Sequence, residues 1–245
     1  GPFICFWEGG ERHLHKTVNY NTVNAFRAEI RRAGIEPSYS QTKMFQVRDN
    51  LLALMVNHEY AASAIDAADL TRATVHGRAE VQRIVKGLQR LGGVWSGLQM
   101  VATCEHIGIR EGRRINGLYT VTQNDLAAGQ THQDAVCKVH FGVDIHSTNG
   151  TKSTGQDSLA IGATMHPYDI PMRALIARDV TNLLLGGRCI SGDFIAHSSY
   201  RVTGTAAATG QAAGVAAALS ANLNTTPALL KWEEIKKHLH NITLK

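Results

Sequence analysis

The segment running from 182 to 223, NLLLGGRCISGDFIAHSSYRVTGTAAATGQAAGVAAALSANL, constrains the fold more than any other. An apolar, strand-like run meets a Gly-Gly turn, and a polar loop follows. Residues 205–222 then form a helix pattern made almost wholly of Ala, Gly, Thr and Ser. A helix stripped of large side chains lets another group come close to its backbone. Gly210 and Gly214 are four apart and share one face. Two readings satisfy this equally: the helix packs tightly on a sheet, or a ligand lies against it. A strand, a glycine turn and a helix N-terminus also make a common anion site, because first-turn N–H groups lack partners and carry partial positive charge.

The rest of the chain narrows the class. Its 245 residues, 44% hydrophobic and 18% charged, suit one large domain or two modest ones. The net charge of +5 is scattered; the one dense basic cluster, IREGRRI at 109–115, is interrupted by Glu111. That is not the footprint of a nucleic-acid binder, and no nucleic-acid partner is expected. Cys5, Cys104, Cys137 and Cys189 are too far apart for a disulfide framework or a zinc finger, which points to a reducing, cytoplasmic setting. No run of about 18 apolar residues argues for a membrane span. The twelve histidines form close pairs (His13 and His15, Cys104 and His106, Cys137 and His140), but there is no HExxH and no paired CxxC, so no metal is expected. A GxSxG elbow is also missing, which removes the common hydrolase reading. The opening Gly-Pro has the form of a scar left by a cleaved tag, so the chain reads as a piece of a longer protein starting at Phe3.

Periodicity predicts the elements. FICFW is a strand, and 22–34 is an amphipathic helix with a Gly stop. Strands at 44–47 and 51–56 flank a tight RDN turn. A long helix covers 67–93, with His76-Gly77 as a point of breakage or bending. LQMVAT, NGLYTVT, AVCKVHFGVDIH and TNLLLGG read as strands, MRALIAR as a short helix or turn, and 229–242 as a closing amphipathic helix. The fold class is therefore α/β or α+β, with a strand-rich middle between flanking helices.

YDIPMRALIARDVTNLLLGGRCIS followed by TGQAAGVAAAL resembles the carboxyl-terminal signature of the FAD-dependent oxidoreductases, whose fold is glutathione-reductase-like. IGIREGRRINGLYTVTQND resembles that family's mid-chain motif. The resemblance covers about 104–219. It implies a partial FAD-binding fold with a strand-rich substrate domain: a substrate-domain region at 1–103 and a carboxyl-terminal FAD-binding segment within 104–245. It also implies FAD as cofactor and hydride transfer between flavin and a small or sugar-like substrate. Such proteins begin with a strand–GxGxxG–helix unit that binds the ADP part of FAD. No GxGxxG occurs in this sequence. The chain therefore reads as the carboxyl-terminal portion of such an enzyme, with an amino-terminal FAD-binding chain or segment as its partner. The alternative is a cofactor-free structural or interaction module descended from one.

By the resemblance, Gly187, Arg188, Cys189, Ile190 and Ser191 line the flavin or ribityl region. Gly210, Gln211, Ala212, Ala213 and Gly214 present backbone N–H groups to the isoalloxazine end. Arg110 is the candidate substrate clamp, or pairs with Glu111 or Asp125; Arg113 and Arg114 lie beside it. Asp144 and His146, two apart on an expected strand, share a face and form a candidate acid–base pair. His197 and Tyr200 either reach substrate or pack.

Overall fold

The computed structural model describes residues 3–7, 20–145 and 165–239, with 3–7 and 20–22 as backbone. It divides into two units, one containing 1–109 and the other built from 110–146 and 157–245. Helices and strands are mixed, and every ladder among the described residues is antiparallel.

The first unit is a four-stranded sheet in the order β2-β3-β1-β4, formed by β1 (Phe3–Trp7), β2 (Lys43–Arg48), β3 (Leu51–Met55) and β4 (Leu98–Ala102). Asp49 turns the β2–β3 hairpin at φ 39°, a conformation Asp tolerates well. Helices α1 (Tyr20–Arg32) and α2 (Ala67–Leu91) cover one side of the sheet through a core of Ile30, Leu54, Val81, Ile84, Leu88 and Leu98. The spacing of Val81, Ile84, Val85 and Leu88 is the helical stripe expected from the sequence. The Asp66 carboxylate caps α2 by accepting from Asp69 N at 2.8 Å, and Gly92 ends it at φ 68°. The expected break at His76-Gly77 does not occur. Gly77 serves packing instead: a Cβ there would lie 2.9 Å from Asn57 Oδ1. Glu80 is buried but satisfied, accepting from Ser38 N and Ser38 Oγ, both at 2.7 Å.

The second unit holds α3 (Gln123–Ala128), the ribbon β5 (Ala135–Val139) with β6 (Tyr168–Pro171), α4 (Phe194–Tyr200), α5 (Thr203–Asn222) and α6 (Trp232–Lys236). Tyr168, Leu126, Ile170, Leu175, Ile190 and Tyr200 fill its core. Helix α5 buries Thr205, Thr209, Ala212, Ala216 and Ser220 along one stripe.

Several expected elements differ. NGLYTVT is not a strand: it makes only the isolated bridges Gly117–Ala177 and Val121–Gly192 before α3 begins. TNLLLGG is not one either, because Asn182 at φ 64° reverses the chain and leaves a single bridge, Ile176–Leu184. β5 stops at Val139, since its partner β6 is four residues long and ends the pairing at Val139–Tyr168. Helix α6 is shorter than expected, because Leu230 and Lys231 are extended. No helix among the described residues is long and apolar enough to cross a membrane.

Candidate functional site

The second unit seats the two sequence segments around Gly187 and Gly210 directly against each other. Gly187 opens a 3-10 turn (Gly187–Cys189) at φ 68°, and its N–H donates to Thr209 Oγ1 at 2.9 Å. A Cβ on Gly186 would lie 3.0 Å from Gly210 Cα and 3.1 Å from Gly210 N. Backbone thus touches backbone, and this is one reason for the small residues of α5. It is not the whole reason. Gly210 and Gly214 are exposed, and a Cβ on either would meet nothing within 4 Å among the described residues. One side of α5 is therefore packed, and the glycine face stays bare.

The two clusters divide further within themselves. In the 187–191 strip, Arg188 is exposed and Cys189 half-buried, whereas Ile190 and Ser191 are buried. Ser191 Oγ pairs with Thr120 Oγ1 at 3.0 Å, and Ser191 N donates to Ala174 O at 2.9 Å. In the second cluster Ala212 is buried while Gln211 and Ala213 are half-buried. The expectation that Gly210, Gln211, Ala212, Ala213 and Gly214 present N–H donors is corrected by the helix itself. α5 begins at Thr203, so these five N–H groups lie inside the helix, where they bond to the preceding turn. The available donors lie at its first turn instead. Val202 is the N-cap and no side chain caps the helix; Val ranks among the poorest capping residues.

A charged network surrounds the end of α4 and the start of α5. Arg110 Nη1 pairs with Asp144 Oδ2 at 3.1 Å, not with Glu111 or Asp125. Glu111 instead gathers Arg114 at 3.0 Å, Arg201 at 2.9 Å and His197 Nδ1 at 3.1 Å. Arg201 also donates to Asp144 O at 2.6 Å. With its side chain 7% exposed, Arg201 is the buried centre that links Glu111 to the 144 loop. Burial lowers the His197 pKa, and the adjacent Glu111 only partly offsets it, so the ring stays neutral at neutral pH. Asp125 caps α3 by accepting from Thr122 N at 2.7 Å, and it also accepts from Tyr119 Oη at 2.8 Å. Burial, then this Asp125 bond, push the Tyr119 hydroxyl up to about 12. Tyr200 packs: its hydroxyl donates to Ile190 O at 3.0 Å, and a Cβ on Gly192 would lie 2.5 Å from the ring.

The strand that was to align Asp144 with His146 ends at Val139, so strand periodicity does not carry that pair. His146, like His13 and His15, lies outside the described residues. Among the described residues no three His, Cys, Asp or Glu side chains gather at metal-binding range. Sequence reading missed Arg201 and Thr209. Only Arg201 had a local signal, as a lone cation between two helical segments.

The family described as FAD dependent oxidoreductase matches residues 7–239. No curated protein and no solved structure matches the chain. The match takes in the first unit as well as the glycine strip, the bare face of α5 and the Glu111 network. On that extent the chain belongs to the FAD dependent oxidoreductase family, and the cofactor of its family is FAD.

Proposed function

We propose that this chain supplies the carboxyl-terminal FAD-binding segment and a substrate-domain region of an oxidoreductase that moves hydride between flavin and a small or sugar-like substrate. The substrate region is assigned to 1–103 and the FAD segment to 104–245. A chain or segment bearing GxGxxG, a motif these 245 residues lack, is the partner that would hold the ADP half.

The observation that carries the reading is the bare glycine face of α5, open at Gly210 and Gly214, beside the tight Gly186–Gly187 seat. A flat ring can lie on such a face without meeting a side chain. The uncapped first turn of α5 lies next in the chain and favours negative charge. Of the 187–191 strip, Arg188 and Cys189 would approach the cofactor directly, while the buried Gly187, Ile190 and Ser191 hold the strip in the core. When bound, FAD supplies a two-electron acceptor that takes or returns hydride.

The chain's own groups then position substrate and handle its proton. Arg110, held by Asp144, orients a hydroxyl or carboxylate of the substrate. Asp144 and His146 form the relay that takes the hydroxyl proton as hydride departs. Arg201 fixes the Asp144 carbonyl and so anchors this loop. The test is anaerobic mixing of the flavin-loaded protein with small alcohols and sugars. Bleaching of the yellow colour by one of them, slowed by Arg110→Ala and His146→Gln, supports the reading. A colourless protein that takes up no FAD contradicts it.

A further inference from the structure

The second unit also contains a cleft of about 620 Å³, within the ~300–1,000 Å³ range of small-molecule sites. It shares no residue with the 187–191 strip or with the 210–214 cluster. The segment between them separates the two. Ala174 O and Leu175 O accept from Ser191 N and Leu185 N on the strip side, while Met172, Arg173 and Ile176 line the cleft.

One corner of the cleft is rigid and polar. Arg173 Nε donates to Asp134 Oδ2 at 2.9 Å and Nη2 to Asp134 Oδ1 at 3.1 Å, a two-point clamp. The Arg173 backbone N–H donates to the same carboxylate at 3.2 Å. The guanidinium lies 5.2 Å from the Tyr119 ring centre, which fixes its plane. This clamp leaves the Nη1 edge of Arg173 without a protein partner among the described residues. The lining also includes Trp232 and the exposed Glu233, for which no ion pair is formed among the described residues. Leu118, Ile176 and Ile235 supply apolar lining.

The charges select the ligand class. The lining holds one cation, Arg173, against two carboxylates, Asp134 and Glu233. Arg173 and Asp134 offset each other, and the uncompensated Glu233 disfavours an anion. What the corner offers is acceptors next to a donor edge. A hydroxyl pair, each group both donor and acceptor, uses both at once. A ring that carries such hydroxyls on its rim and C–H groups on its face also uses Trp232 and the apolar lining.

We propose that this cleft binds a neutral sugar, its vicinal hydroxyls on Asp134, Arg173 and Glu233 and its C–H face on Trp232. The site is separate from the cofactor strip, and binding does not depend on flavin.

The test titrates the 245-residue chain with the methyl glycosides of glucose, galactose, mannose and xylose, followed by calorimetry and tryptophan fluorescence. Glucuronate serves as the charged analogue. At least one neutral glycoside is expected to bind saturably. Trp232→Phe should abolish its fluorescence change, Asp134→Asn and Glu233→Gln should each weaken binding about tenfold or more, and glucuronate should bind more weakly than the neutral parent. Glu233 is exposed, so Glu233→Gln tests the site without disturbing the fold. The proposal is overturned if no neutral glycoside saturates, if glucuronate binds more tightly, or if Glu233→Gln or Asp134→Asn leaves affinity unchanged.

Discussion

Gly186 and Gly210 touch, yet the structure gives them opposite responses to the same substitution. Gly186→Ala would place a Cβ 3.0 Å from Gly210 Cα, 3.1 Å from Gly210 N and 3.4 Å from Thr209 C. All three atoms are helix backbone, so no flexible side chain can give way. Gly186 already has φ −129°, an ordinary extended backbone, and the cost is therefore steric alone. Overpacking of this kind costs about 1–3 kcal/mol. At ~2–4 °C per kcal/mol for a protein of this size, Tm should fall by about 2–12 °C. Gly210→Ala points its Cβ into open space. It replaces a mid-helix glycine and should stabilise by about 0.5–1 kcal/mol, raising Tm by about 1–4 °C. Differential scanning calorimetry of the cofactor-free chain reads both. Equal shifts, or a Gly186→Ala protein as stable as the parent, would refute the packing argument.

Three further outcomes follow from the second unit. Glu111→Gln removes the anion shared by Arg114, Arg201 and His197 and should cost about 2 kcal/mol in urea unfolding, chiefly because Arg201 is buried. The folded His197 binds its proton less readily than the unfolded chain does, so stability should drop as pH falls below its ordinary 6.5; His197→Gln should flatten that part of a Tm–pH profile. Asp125→Ala removes the α3 cap at a cost of about 1–2 kcal/mol, and it should bring the Tyr119 hydroxyl down from about 12 toward 10.0, read as phenolate absorbance in an alkaline titration.

The first unit was legible because its signals are local. The stripe Val81, Ile84, Val85, Leu88 and the Asp66 and Gly92 caps lie within one helix and its flanks. The second unit hid more. Val121 and Ile176 look like strand residues because they alternate into the core, but a residue can be buried without a ladder, and each segment pairs at isolated points. Helix α4 carries no apolar stripe; Ala196, His197, Ser198 and Ser199 are all buried, and the usable sign was the cap formed by Asp193. The charged network was beyond local reading, since Glu111 and Arg201 are 90 residues apart. The two glycine motifs of the sequence lie against each other in the fold, at Gly186 and Gly210. Their chemistry differed, because α5 starts at Thr203 and encloses the N–H groups of Gly210–Gly214 within itself.

The central claim is that flavin lies on the glycine face of α5. The direct measurement is a flavin-fluorescence titration of the chain with FAD and riboflavin, alongside Gly210→Val and Gly214→Val. Among the described residues a Cβ at either position meets nothing within 4 Å, so both variants should stay folded. The account predicts saturable binding by the parent chain, with FAD and riboflavin bound alike because no GxGxxG unit reads the ADP half, and a loss of about tenfold or more in each variant. Variants that bind flavin as tightly as the parent would contradict it.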